Sequence, residues 1–234
     1  METKKLSIII PCWNEKETIE KIIAKISGLT INNWQIEIIV VDDFSTDGTR
    51  DILKKYENGL KVIYHKQNLG KGSAVKSGIE VTKGDYILIQ DADLEYDPRE
   101  IPKLISILNI KEKTVVYGSR NIHHKKREGM IIPRLGVWFI TLEFNILFGT
   151  KLTDIWTCYK LFPKDAGRFF SAGRFESELY FSAELIKHDY KIIEVGISHN
   201  PRPFGQGKKI TYLDGLKGIW TIFLSRFSSR KIYD

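Results

Sequence analysis

The segment Gln90-Asp91-Ala92-Asp93-Leu94-Glu95 follows an apolar run, Tyr86-Ile87-Leu88-Ile89, that reads as a buried strand. Asp91 and Asp93 stand where that strand opens into a turn, a spacing that can aim both carboxylates at one point. Hard oxygen donors of this kind suit Mg²⁺ or Mn²⁺ better than Zn²⁺. Mg²⁺ is usually held by one or two carboxylates together with substrate phosphates, so the pattern predicts a metal-assisted site for a phosphorylated substrate. A lone D-x-D is also what an ordinary acidic strand-end loop looks like, and its weight depends on its companions.

Those companions sit at equivalent places. Pro11-Cys12-Trp13-Asn14-Glu15 directly follows a first strand, and Val41-Asp42-Asp43-Phe44-Ser45-Thr46-Asp47-Gly48-Thr49 follows a second. Trp13 could cover a nucleobase face, while Glu15 and Asp43 could accept hydrogen bonds from base or ribose. Ser45 and Asp47 read as helix caps, and Cys12 as a small core residue. Asn68-Leu69-Gly70-Lys71-Gly72 precedes a helix. A glycine-rich turn at a helix N-terminus suits an anion. The Walker spacing is missing, and a tight turn is an equally good reading. Glu176 and Glu178 flank a helix start, where acidic residues favour the helix dipole.

The elements that must position these residues alternate. Strands are predicted at 7–10, 36–41, 61–64, 86–89 and 115–118, with helices at 17–26, 46–56, 73–81 and 98–108 between them. Short apolar runs alternating with helices imply βαβ units and a mostly parallel sheet. Ligands on such sheets bind at the carboxyl ends of the strands, where every polar motif here falls. The second half is predicted to hold an apolar, aromatic stretch at 131–149, a helix at 176–188, a strand at 191–195, a Pro/Gly/basic loop at 200–209 and a final helix at 212–227. No repeat, low-complexity tract or linker divides the chain.

The 234 residues are 42% hydrophobic and 28% charged, a globular composition with enough apolar material for a core. The net charge of +7 fits nucleic acid, an anionic membrane face or a phosphorylated small molecule. No RNA-recognition, helix-turn-helix or zinc pattern appears, so nucleic acid is not an expected partner. Two cysteines without metal-type spacing imply no disulfide framework. The opening apolar run ends at Pro11, too short for a signal-peptide core. No stretch reaches the about 18 uncharged apolar residues of a spanning helix.

In this order, P-C-W-N-E, V-V-D-D-F-S-T-D-G-T, N-L-G-K-G-S-A and D-A-D-L-E-Y-D-P resemble the family 2 glycosyltransferases with the GT-A fold. Within them, the chain is similar to the dolichol-phosphate mannose synthases and bacterial polyprenyl-phosphate glycosyltransferases. The resemblance continues through Gly118-Ser119-Arg120, Thr153-Asp154-Ile155-Trp156-Thr157-Cys158-Tyr159-Lys160 and Pro201-Arg202 to Gly207-Lys208-Lys209-Ile210.

The resemblance implies an α/β fold of GT-A type. A mostly parallel nucleotide-binding sheet would be flanked by helices, with a C-terminal helical part on the acceptor side facing a membrane. One domain over 1–234 would comprise a nucleotide-binding half, 1–120, and an acceptor-side half, 121–234. Pro11, Trp13, Glu15, Val41, Asp43, Lys71, Asp91, Ala92 and Asp93 would line the nucleotide-sugar. Asp91 and Asp93 would hold Mg²⁺ or Mn²⁺, joined by Glu95, which stands where the synthases often have Gln. Arg120, Arg134 and Arg202, with Lys208, would bind the acceptor phosphate or the leaving diphosphate. Asp154 matches an acidic residue near the reaction centre, and it could orient a substrate, act as a base or serve as an arginine's structural partner.

The implied reaction is inverting, metal-dependent transfer of a sugar from a GDP-mannose- or UDP-glucose-type donor to a polyprenyl phosphate. The expected place is the cytoplasmic face of a membrane, held peripherally. A stretch at 137–148 and a basic-flanked aromatic helix at 218–231 are the candidate contacts, with core packing favoured for Trp138 and either role open for Trp220. The run His123-His124-Lys125-Lys126-Arg127 reads as a solvated loop that could close over a diphosphate. Transfer to a saccharide hydroxyl, a silent sugar-nucleotide binder and a nucleic-acid-binding protein are the alternatives.

Overall fold

The computed structural model describes residues 3–109, 112–122, 131–202 and 212–227; the side chains of 131–134 and 212 fall outside that description. The first half runs β1 (Lys4–Cys12), α1 (Ile19–Ser27), β2 (Trp34–Asp42), α2 (Thr49–Lys54), β3 (Lys61–Tyr64), α3 (Lys71–Glu80) and β4 (Tyr86–Ile89). It continues with α4 (Ile101–Ser106), β5 (Thr114–Ser119), α5 (Ile131–Phe148), β6 (Lys160–Pro163), α6 (Glu176–Lys187), β7 (Lys191–Gly196) and α7 (Tyr212–Phe227). The seven strands form one sheet in the order β3-β2-β1-β4-β6-β5-β7. All described pairings are parallel except those of β6, which runs antiparallel to both β4 and β5.

Successive strand residues point to opposite faces, and the sequence supplies apolar side chains for both. Ile9, Ile39, Ile87 and Val115 join one buried cluster with residues of α3, α5, α6 and α7. Ile8, Ile10, Val40 and Leu88 join the other with residues of α1, α2 and α4. In α1 the spacing of Ile19, Ile22, Ile23 and Ile26 places all four on the buried face. The central strands are therefore covered on both sides, as a parallel sheet requires.

Two predicted helices differ in extent, and one strand was not predicted. The helix predicted at 46–56 is confined to Thr49–Lys54, because Gly48 takes φ +98° and turns the chain first. The helix predicted at 98–108 begins as a 3₁₀ turn, Pro98–Glu100, with the Asp97 side chain accepting from Arg99 N. The strand β6 was not expected: it is short and opens on Lys160, a residue type that argues against burial.

Core packing for Trp138 is corrected. Trp138 is 59% exposed, since α5 turns Ile140 and Phe144 inward instead. Leu135, Trp138, Phe139, Leu142 and Ile146 make an exposed stripe on α5, and Leu213, Leu216, Trp220, Phe223 and Phe227 make another on α7, which packs beside it. Among the described residues no helix is long and apolar enough to cross a membrane.

Candidate active site

The loops after β1, β2, β4 and β5, the start of α3, and the segments leading into β6, into α6 and out of β7 converge on one pocket at the carboxyl edge of the sheet. Because β6 runs the other way, the residues preceding it, Trp156 and Cys158, reach the same edge.

The loops are locked by specific contacts. Asn14, Phe44 and Leu94, one after each of β1, β2 and β4, hold φ of 54°, 65° and 65°. Such left-handed backbone is disfavoured for residues with a Cβ and persists where surrounding bonds fix it. Asn14 N donates to Ser45 Oγ at 2.8 Å, and Thr46 N donates to Asn14 Oδ1 at 2.8 Å. Ser45 thus braces two loops and is not a helix cap; Asp47 is not the cap either, since Gly48 holds that position, and Asp47 instead accepts from Thr49 N at 3.0 Å in a local turn before α2. Behind the acidic loop, fully buried Gln90 donates from Nε2 to the carbonyls of Asp91 and Tyr96.

The glycine-rich turn finds its anion inside the protein. Leu69 N and Gly70 N donate to the two oxygens of Asp43, both at 2.8 Å, and His65 Nδ1 lies 2.7 Å from Asp43 Oδ1. Gly70 takes φ +90°, and a Cβ there would lie 2.8 Å from Gly173 O. Gly70 is therefore required both by conformation and by close approach. Ser77 Oγ lies 2.9 Å from His65 Nε2, completing a chain behind Asp43.

The acidic and basic candidates meet in pairs. Lys71 Nζ lies 2.6 Å from Asp91 Oδ1, and an Arg202 Nη lies 3.5 Å from Asp93 Oδ2. The same Arg202 nitrogen donates to Glu15 Oε2 at 2.6 Å. Glu95 receives Arg202 N at 3.1 Å and lies 3.0 Å from His199 Nε2. Burial alone would raise Glu95, yet the His199 and Arg202 contacts hold it below the usual carboxylate range. Asp154 is fully buried, and both of its oxygens accept from Arg120, at 2.6 and 2.7 Å. The geometry is that of an arginine's structural partner. Glu194 in turn accepts from Thr153 N and Asp154 N, fixing that loop.

Pro11, Trp13, Glu15, Asp43, Lys71, Asp91, Ala92, Asp93, Glu95, Arg120 and Arg202 all line the pocket. Val41 is buried in the core cluster instead. Arg134 lies on α5 with its side chain outside the described residues, and Lys208 and His123–Arg127 also lie outside them. The sequence reading missed Arg174, Phe175 and His199 among the lining residues, and it gave no role of their own to Tyr96 and Trp156, which it quoted only within motifs. It also missed Lys160, fully buried, whose Nζ meets Glu178 Oε2 at 2.7 Å. Lys160 entered the sequence reading only as the last residue of the Thr153-to-Lys160 motif, with no role given to it.

Among the described residues no three His, Cys, Asp or Glu side chains are arranged to hold a metal ion. The donor set nevertheless fits Mg²⁺ or Mn²⁺ bound jointly with a diphosphate: hard carboxylates on one loop, with the remaining oxygens left to the substrate.

Residues 7–168 match the family described as Glycosyl transferase family 2. The chain belongs to that family. Over 215 residues this family 2 chain is 37% identical to an undecaprenyl-phosphate 4-deoxy-4-formamido-L-arabinose transferase of Photorhabdus laumondii, covering 88% of the chain and 63% of that protein. Over 128 residues it is 36% identical to a dolichol-phosphate mannosyltransferase of Pyrococcus furiosus, covering 53% of the chain and 35% of that protein. The chain thus spans less than two thirds of the length of either relative. A glucosyl-3-phosphoglycerate synthase of Mycobacterium tuberculosis, crystallised with Mn²⁺, uridine diphosphate and phosphoglyceric acid, superposes with a TM-score of 0.70 at 23% identity. That superposition covers 98% of this chain and 80% of the other. The family 2 chain shares that fold, the GT-A type.

Proposed function

We propose that this chain transfers a sugar from a nucleotide-sugar to a polyprenyl phosphate, with inversion at the anomeric carbon. The observation that carries the reading is the convergence in one pocket of Trp13, the Asp91–Asp93–Glu95 loop and the cations Lys71, Arg120 and Arg202. Two relatives that act on polyprenyl-type phosphates, by their descriptions, support the acceptor.

In this reading the base and ribose lie against Pro11, Trp13 and Glu15, beside the turn that Asp43 organises. Asp91 and Asp93, with Glu95, hold a divalent cation that supplies charge neutralisation for the diphosphate. An acceptor phosphate oxygen, anionic at neutral pH, forms the new bond to the anomeric carbon. The bond to the diphosphate breaks, and its electron pair leaves with the nucleoside diphosphate. Arg120, Arg134 and Arg202 bind the two phosphate groups, a task that suits the guanidinium fork. A phosphate nucleophile has no proton to lose, which fits an Asp154 already engaged on both oxygens by Arg120. The chain acts as one catalytic unit over 1–234. The exposed stripes of α5 and α7 rest on the cytoplasmic face of a membrane, where such an acceptor resides.

The test pairs GDP-mannose and UDP-glucose with a short polyprenyl phosphate and Mg²⁺ or Mn²⁺, following nucleoside diphosphate release and the lipid-linked sugar. Asp93→Asn should lower turnover by about 100-fold, equivalent to roughly 2.7 kcal/mol, while leaving the thermal unfolding profile intact. A saccharide alcohol used as well as the lipid phosphate would overturn the acceptor assignment.

A further inference from the structure

Asp91, Asp93 and Glu95 of the loop after β4 each face a basic side chain of the protein itself, a lysine, an arginine and a histidine in turn. Lys71 stands 2.6 Å from Asp91, Arg202 3.5 Å from Asp93, and His199 3.0 Å from Glu95. Lys71 and Arg202 both line the pocket. We propose that Lys71 and Arg202 are exchangeable counter-ions: they keep divalent cations off the nucleotide-free pocket, and they pass from Asp91 and Asp93 to the donor's diphosphate when metal and nucleotide enter together. The inference rests on the metal reading above.

Three features support exchange over a fixed structural pairing. Lys71 is shared, lying 3.0 Å from Glu178 Oε1 as well, and Glu178 is also bound by Lys160 at 2.7 Å. When Lys71 moves toward a phosphate, Lys160 remains, so Glu178 is not left as an uncompensated buried charge, which would be costly. Lys160 cannot make the move itself, being fully buried and absent from the pocket lining. Arg202, second, has a buried Nε without a hydrogen-bond partner among the described residues, a donor still available to a phosphate oxygen. Third, a divalent ion entering alone would meet two positive charges beside its ligands in a half-enclosed site, where charge repulsion is poorly screened. A diphosphate brings the negative charge that both cations need as a new partner.

The experiment measures Mn²⁺ binding by electron paramagnetic resonance, without and with nucleoside diphosphate, for wild type, Lys71→Gln and Arg202→Gln. Without nucleotide, both variants should bind Mn²⁺ more tightly than wild type, by a factor in the range of about 5 to 150 that is usual for site coupling. With nucleotide, both should retain less nucleoside diphosphate than wild type. A purely structural lysine would instead leave Mn²⁺ affinity unchanged or reduced, and that outcome overturns the proposal. Circular dichroism establishes which variants are folded. Should Lys71→Gln not fold, Arg202→Gln carries the same prediction. Wild type that binds no Mn²⁺ even with nucleotide overturns the metal reading itself, and the counter-ion proposal with it. Normal joint binding in wild type with unchanged affinities in the variants overturns only the exchange.

Discussion

Glu178 is a carboxylate buried between two ammonium groups, and its titration is a handle on the centre of the fold. Burial would raise its pKa, but Lys160 and Lys71 outweigh that and hold it at about 2, against an ordinary 4.5. Its folded value is depressed, so its contribution is complete above about pH 4.5 and is lost as pH falls toward 2. The shift corresponds to about 3 kcal/mol. Glu178→Gln should therefore be destabilised at neutral pH, with a flatter dependence of Tm on pH between 4.5 and 2 than wild type. Parallel Tm curves would show that the pairing carries no such weight. This pair also marks the limit of what could be read at the residue scale. The pocket-facing role of Trp13, Glu15, Asp91 and Asp93 was legible because each follows an apolar strand run. The sharing of Glu178 by Lys71 and Lys160 was not, since three residues from α3, β6 and α6 meet only through the sheet. Asp43 lay between: its place at the site was legible, its capture of Leu69 N and Gly70 N was not.

At the scale of the element, α5 and α7 each divide their faces between core and solvent. Ile140 and Phe144 of α5 and Ile222 of α7 are buried, while Trp138 and Trp220 are 59% and 61% exposed. Trp138→Glu combined with Trp220→Glu should reduce co-sedimentation with anionic phospholipid vesicles by at least about tenfold, since each aromatic buries a large apolar area. Unchanged sedimentation would remove these helices from the proposed membrane contact. On α5, Glu143 has a buried oxygen without a partner among the described residues, and burial pushes its carboxyl up to about 7. A raised carboxyl favours the fold below about pH 4.5 and loses that advantage as pH climbs through 7. Glu143→Gln should accordingly raise Tm more at pH 8 than at pH 5, and an equal gain at both would contradict the assignment. Element positions in the first half were legible because apolar periodicity switches cleanly between strand and helix. The second half was less so: α5 is apolar on nearly every face, so sequence alone could not say which aromatic turns inward.

For the molecule as a whole, the parallel sheet and the placing of its ligand edge followed from alternation of the elements, whereas the strand order did not. Nothing in four residues headed by a lysine announces that β6 inserts between β4 and β5. That insertion has a consequence for how the chain is made. As synthesis proceeds, β4 emerges with β1 on one side and an open edge on the other, because β5, the next strand, is not its neighbour. The edge waits until residue 163 has left the ribosome, and an unpaired hydrophobic strand edge is a template for association with other chains. A fragment ending at residue 120 carries most of the pocket-lining residues but neither β6 nor α5, α6 and α7, which with α3 cover one face of its sheet. It should aggregate on expression, whereas the 234-residue chain should stay monodisperse; a monodisperse fragment by light scattering would refute this. Residues 1–120 thus cannot complete their own sheet: β4 and β5 both lie within them, and the gap between the two strands closes only when a late, reversed strand from beyond residue 120 enters it.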